Sequence, residues 1–197
     1  MKLGDKIAEL LKKNNGYISA SEARECGIDN KSLQRGVNKG MLERVARGLY
    51  LGTQYFRDPY FIAQYRCPNG IFSHDTALFF HDLSDRVPLA ITITIPSGGN
   101  SRLLTNKQFS FYYAKPDIWS FAREKKTTEF GNEIITYDVE RTICDCLRNI
   151  DKLDRDLVLT AIKRYVKRDD RDFAKLFAYA ELFKIRETVR NYMEVLL

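Results

Sequence analysis

The stretch "NKSLQRGVNKGMLERVARGLYLG", residues 30–52, decides how the chain is read. Its first ten residues suit a helix capped by Asp29 or Asn30 and stopped by Gly40. A short side-chain oxygen satisfies the free amides of a first turn, and glycine tolerates the left-handed conformation that ends a helix. On that helix Leu33 and Val37 lie one turn apart and face inward, leaving Lys31, Ser32, Gln34, Arg35, Asn38 and Lys39 outside. A helix used only for packing would be more apolar. "MLERV", the turn "ARG" and "LYLG" then predict a small hairpin whose tip carries Arg47, with Arg44 close behind.

Upstream, Leu3, Ile7, Leu10 and Leu11 recur at helical spacing and predict an amphipathic helix over 2–14, stopped by "NNG". Tyr17 and Ile18 form a short extended piece. Ser19 and Glu22 have the spacing of a capping box, opening a second helix that ends at Gly27. Two short helices joined by a glycine-containing turn are a helix-turn-helix signature, and the hairpin adds a wing, giving a DNA-binding domain over 1–54. Arg35 matches the two acceptors of guanine, and Gln34 or Asn38 the donor and acceptor of adenine. Lys31, Lys39, Arg44 and Arg47 suit phosphates. The alternative is a solvated face on a protein-interaction winged helix. Five basic side chains against Glu43 alone favour duplex DNA.

The rest of the composition agrees. The 197 residues are 44% hydrophobic and 29% charged, enough to bury a core. Net charge is +6, and residues 1–52 carry +4 of it. Cys26, Cys67, Cys144 and Cys146 include no C-x-x-C pair, so reduced and mostly buried thiols are expected rather than disulfides or a metal site. No basic-then-apolar leader and no apolar run of membrane-span length is present, which predicts a soluble cytoplasmic protein.

A linker is expected near 52–58, then a second domain over 58–197 containing a small sheet followed by helices, making the fold class α+β. "LAITITIP" alternates Ile91, Ile93 and Ile95 with Thr92 and Thr94 and predicts a strand; "FSFYYA" and "EIITYD" predict two more, separated by a helical "DIWSFARE" or a long connection. Helices are expected at 140–149, 154–168 and 170–196, the last broken near Lys184. His74 and His81 share a helix face in "SHDTALFFHD" and are read as surface and capping residues rather than as a metal or acid-base pair. "PSGGNSR", 96–102, is read as a loop rather than an anion nest with Arg102. Lys163, Arg164, Lys167 and Arg168 define either a solvated helix face or a second basic surface. No nucleophile-base pairing or cofactor motif stands out, so no enzyme, metal or cofactor is expected.

The order of elements, "LERVARGLYLG", then "GIFSHDTALFFHDLSDRVP", a strand, and "ITYDVERTICDCLRNI" with a basic helical tail, resembles the AbiEi family of abortive-infection antitoxins. The resemblance covers nearly the whole chain. It implies a bacterial type IV toxin-antitoxin pair involved in phage defence. The winged helix would bind inverted repeats in its own promoter and repress the operon, with the third-helix residues, Arg44 and Arg47 in the DNA role. The second domain would counter a nucleotidyltransferase-like toxin without a stable complex. A monomer in solution that binds cooperatively on DNA fits this picture. The rival readings are a ligand-sensing transcriptional regulator and a DNA-targeted or toxin-modifying enzyme.

Overall fold

The computed structural model describes residues 3–99 and 107–196, so Arg102 lies outside the described residues. The architecture is α+β and divides into two units, Met1–Arg66 with Thr127–Ile134, and Cys67–Lys126 with Ile135–Leu197.

The first unit runs α1 (Leu3–Lys13), β1 (Tyr17–Ser19), α2 (Ala20–Glu25), α3 (Asn30–Asn38), β2 (Leu42–Ala46), β3 (Leu49–Gly52) and α4 (Pro59–Arg66). Its strands form an antiparallel sheet in the order β1-β3-β2, with Tyr50 opposite both Ile18 and Arg44. Ile18, Leu42 and Tyr50 pack against Ile7, Leu10 and Leu11 of α1, Ala23 of α2, Ile28 and Leu33. Tyr17, Leu49 and Leu51 form a second cluster, packed by Phe61, Ile62 and Tyr65 of α4. The two clusters bury β3 throughout, which accounts for the absence of charge from "LYLG".

The expected linker is not one. Asp58 is fully buried. Its Oδ1 accepts the amides of Tyr60 and Phe61, both at 3.0 Å, and so caps the first turn of α4. Its Oδ2 accepts the Thr128 hydroxyl at 2.6 Å and the Asn132 amide at 2.8 Å, while its own N–H donates to the Tyr17 hydroxyl at 2.7 Å. A carboxylate removed from water must have its lone pairs satisfied. These bonds draw α4 and residues 127–134 into the first unit, so the boundary expected at 54–58 moves to Arg66.

The second unit contains β4 (Ile71–Phe72), α5 (His74–Phe80), β5 (Ile91–Pro96), β6 (Phe109–Ala114) and α6 (Pro116–Ser120). After β7 (Arg123–Thr127) and β8 (Glu133–Tyr137) come α7 (Val139–Arg148), α8 (Arg155–Val166), α9 (Phe173–Leu182) and α10 (Arg186–Leu196), with Lys184 at φ 58° marking the expected break. The sheet order is β6-β5-β4-β8-β7; β5 runs parallel to β6 and antiparallel to β4, and β4 parallel to β8. The strand β5 forms as expected, yet Thr92 and Thr94 are buried as well as Ile93 and Ile95. The Thr92 amide donates to the Thr76 hydroxyl and Thr94 to that of Ser73, so the polar face of the strand meets α5 rather than water. The strand β7, "REKKT", comes in addition to the three that the sequence predicts. Its charges fit the edge position it occupies in the sheet, where they discourage pairing with another chain.

Helix α7 is buried from Glu140 to Leu147 and packs with α8, α9 and α10. Its polar residues are answered one by one. Asp138 caps the helix by accepting the Arg141 amide at 2.8 Å. Glu140 accepts the Tyr165 hydroxyl at 3.1 Å and meets Lys175 at 2.9 Å. Arg141 pairs with Asp145 at 2.7 Å and lies between the rings of Tyr137 and Phe183, its guanidinium 4.4 and 4.3 Å from their centres. Cys67, Cys144 and Cys146 are buried, as expected, and burial pushes the Cys144 thiol up to about 12.

His74 and His81 are not surface residues; each is 2% exposed. The His74 ring stacks on Tyr112 with centres 3.6 Å apart, and its Nδ1 lies 3.0 Å from the Ser73 hydroxyl. His81 Nε2 donates to the Tyr137 carbonyl at 2.7 Å, and its buried Nδ1 has no hydrogen-bond partner among the described residues. Burial lowers His74 to about 3 and His81 to about 4, so both rings are neutral when folded. Seven-residue spacing on an amphipathic pattern could not distinguish a wet face from one lying against a sheet.

Two outcomes are expected. Asp58→Ala strands the donors of Thr128 and Asn132 and uncaps α4, and should cost roughly 2–3 kcal/mol in urea unfolding followed by circular dichroism; an unchanged midpoint contradicts the organising role of Asp58. Unfolding exposes His81 to protonation near its ordinary value of 6.5. The unfolded chain therefore binds more protons as pH falls below that value, and stability falls with it until the folded ring protonates near 4. His81→Gln should flatten this acid-side slope by up to about 1.4 kcal/mol per pH unit, measured as unfolding free energy against pH.

Candidate nucleic-acid interface

The geometry of α2 and α3 follows from their caps. Ser19 Oγ accepts the Glu22 amide at 3.2 Å while Glu22 Oε2 accepts the Ser19 amide at 3.0 Å, the reciprocal box that the spacing predicted. Asp29, not Asn30, caps α3, its Oδ1 accepting the Ser32 amide at 2.7 Å. Hydrogen bonds from Ser32, side chain first and then amide, hold the Asp29 carboxyl below its ordinary range, with Arg35 and Lys31 adding attraction.

The inward face of α3 is Ser32, Leu33 and Gly36. A Cβ on Gly36 would lie 2.9 Å from Leu42 Cδ1, so the absence of a side chain lets the helix sit directly on β2. The outward face is Lys31, Gln34, Arg35, Asn38 and Lys39, all exposed. Gln34 Nε2 donates to Asn38 Oδ1 at 3.1 Å, holding the two amides together one turn apart.

Ser32 departs from expectation. It is 9% exposed and bonded to Asp29, because the first turn of α3 leans into the unit and the serine serves the cap. Asn30 takes the opposite course. Once Asp29 is the cap, Asn30 becomes the first helical residue and is exposed. Reading it as an alternative cap concealed it as a contact candidate, although the N-terminal residues of a recognition helix are those that enter the groove.

The hairpin is short. Ala46 pairs with Leu49, so Arg47 and Gly48 alone form the turn, with Gly48 at φ 77°. The Gly48 carbonyl accepts the Ala20 amide at 2.7 Å and the Tyr65 hydroxyl at 2.9 Å, tying the tip to the start of α2 and to α4. A bulge between Arg44 and Ala46 shifts the alternation of β2, and Arg44 and Arg47, an odd number of positions apart, are both exposed.

Charge separates the two candidate surfaces. Lys31, Arg35, Lys39, Arg44 and Arg47 make no ion pair among the described residues. Glu43, the one carboxylate within 30–52, is engaged by Arg57, whose Nε lies 3.2 Å from its Oε2. In α8 and its C-terminal end the pattern differs. Arg164 forks onto Asp85, with one bond at 2.8 Å, and Arg168 onto Asp170 through two bonds of 2.7 Å while also donating to the His81 carbonyl. Of the four residues of the proposed second basic surface, Lys163 and Lys167 are exposed and make no ion pair among the described residues, so that surface is half neutralised by carboxylates that are distant or adjacent in sequence.

Two capped helices joined at a glycine turn and followed by a hairpin on the same sheet define a winged helix-turn-helix, a class of DNA-binding regulator. Residues 5–51 match a family model described as "Transcriptional regulator, AbiEi antitoxin", and over those residues the match bears out the AbiEi resemblance drawn from the sequence. It spans α1 to β3 and supports an antitoxin and DNA-binding regulator. No curated protein matches the chain. Among the described residues no helix is long and apolar enough to cross a membrane.

Arg35→Ala is expected to cost about 1–3 kcal/mol on a specific duplex and to relax preference at one base pair, whereas Lys39→Ala weakens all duplexes alike and lowers the salt slope by about one. Fluorescence anisotropy at several salt concentrations distinguishes the two; equal losses on specific and random DNA for Arg35→Ala would remove it from base contact.

Proposed function

We propose that the first unit binds inverted repeats in the promoter of its own operon and represses it, and that the second unit counters a nucleotidyltransferase-like toxin in a bacterial abortive-infection, phage-defence pair. The observation that carries the DNA reading is the set of five cations on α3 and the hairpin that make no ion pair among the described residues. Cations already paired would have to break those pairs to meet phosphate, and unpaired ones release counterions from DNA directly. In this reading Arg35, Gln34 and Asn38 face base edges, and Asn30 joins them at the helix start. Lys31, Lys39, Arg44 and Arg47 meet the backbone. Two copies occupy neighbouring half-sites cooperatively, each a monomer in solution.

The antitoxin role needs no stable toxin complex and no catalytic step by this chain, and the setting is the bacterial cytoplasm. The family match supports the antitoxin assignment and supplies no residue for it, since it ends at residue 51.

A mobility shift on the DNA upstream of the gene, beside a scrambled duplex and at two salt concentrations, tests the repressor reading. Stepwise, salt-sensitive shifts confined to the upstream DNA are expected. Equal affinity for both duplexes would leave α3 as a non-specific or protein-binding face.

A further inference from the structure

The second unit holds a polar cavity of about 310 Å³ between the ends of β5 and β6, α6 and one side of α7. That volume lies within the range of small-molecule sites, about 300–1,000 Å³. Its composition is unusual for a packing defect, because three cations line it, Lys115, Arg141 and Arg148, against the single carboxylate of Asp145. Empty cavities left by imperfect packing are apolar.

The cations are held in different ways. Arg141 is 1% exposed, fixed by its two flanking rings; its Nε is bonded to Asp145 and its Nη1 to the Ile118 carbonyl at 3.0 Å. Arg148 meets Asp145 at 3.4 Å and lies 5.0 Å from the centre of the Phe183 ring, with its side chain 38% exposed, so its outer nitrogens can reach an incoming anion. Lys115 is exposed and makes no ion pair among the described residues. His74 lines the wall as a neutral ring stacked on Tyr112, its Nε2 3.3 Å from the Asn149 side-chain amide. Tyr113, 55% exposed, also lines the cavity.

We propose that this cavity binds a small phosphomonoester, its phosphate held by Arg148 and Lys115 over the Arg141–Asp145 pair and its organic part, a flat ring, lying against Tyr113. Net charge selects phosphate. With one cation balanced by Asp145, two remain unbalanced, which matches a phosphate monoester of about −1.5 to −2 better than a monocarboxylate. The planar fork of Arg148 suits two phosphate oxygens. An exposed aromatic ring adds stacking for a base-like group. The proposal is independent of the DNA reading, since every residue in it belongs to the second unit.

The test is titration calorimetry on the full chain with inorganic phosphate, the four ribonucleoside 5′-monophosphates and the matching nucleosides. Saturable binding of at least one monophosphate is expected, with its nucleoside at least about tenfold weaker. Arg148→Gln and Lys115→Ala should each weaken it by about tenfold or more with unchanged circular dichroism, while Lys163→Ala, an equal change of charge on α8, leaves it as it is. Tyr113→Ala should weaken the monophosphate and leave inorganic phosphate unaltered. The proposal is overturned if no monophosphate saturates the protein, or if Arg148→Gln and Lys115→Ala bind as the wild type does. It is overturned in its organic part if monophosphates bind no tighter than inorganic phosphate.

Discussion

A carboxylate kept from water without an ion pair among the described residues organises the N-terminal unit. Asp58 accepts two amides from the start of α4, a hydroxyl from Thr128 and an amide from Asn132, and its own N–H reaches Tyr17 in β1. Each bond offsets part of the cost of desolvating the charge, and together they give α4 a defined start. That helix carries Tyr65, which holds the Gly48 carbonyl and hence the hairpin tip. The orientation of Arg47 therefore depends on a buried residue eleven positions away in sequence and on a segment seventy positions further on.

Arginine has three different fates in this chain, and the difference is made by neighbouring carboxylates. On α3 and the hairpin the cations make no ion pair among the described residues and remain available to a polyanion. Around α8, Arg164 and Arg168 are closed onto Asp85 and Asp170, so a sequence run that reads as strongly basic presents a weaker field. In α7, Arg141 is buried between two aromatic rings and joins the helix to α6 through the Ile118 carbonyl while lining a cavity. One residue type supplies an exposed basic face, surface staples and a cavity floor.

Local rules were readable where one stretch of chain completes the interaction. Ser19 and Glu22 stand three residues apart and form their box; Gly40 follows α3, and Lys184 breaks the last helical region. Reading failed where the partner comes from elsewhere. Residues 52–58 read as a linker, because Thr128 and Asn132 could not be seen beside Asp58. His74 and His81 read as surface residues, because the sheet that covers them is assembled from β4, β5, β6 and β8. Ser32 read as a contact residue, since the choice between Asp29 and Asn30 as cap sets the rotation of the first turn.

The sequence by itself determined the helix-turn-helix and its hairpin, the α+β class, the strand at 91–96 and the basic character of the first quarter, because each rests on periodicity, capping or turn chemistry within about ten residues. Only the tertiary structure decided which of the basic residues are free, which polar residues are buried, where the first unit ends, and that Lys115, Arg141 and Arg148 meet around one cavity. Those outcomes depend on which carboxylates, rings and carbonyls are brought within a few ångströms, and charges fall off or are cancelled over distances that sequence separation does not measure.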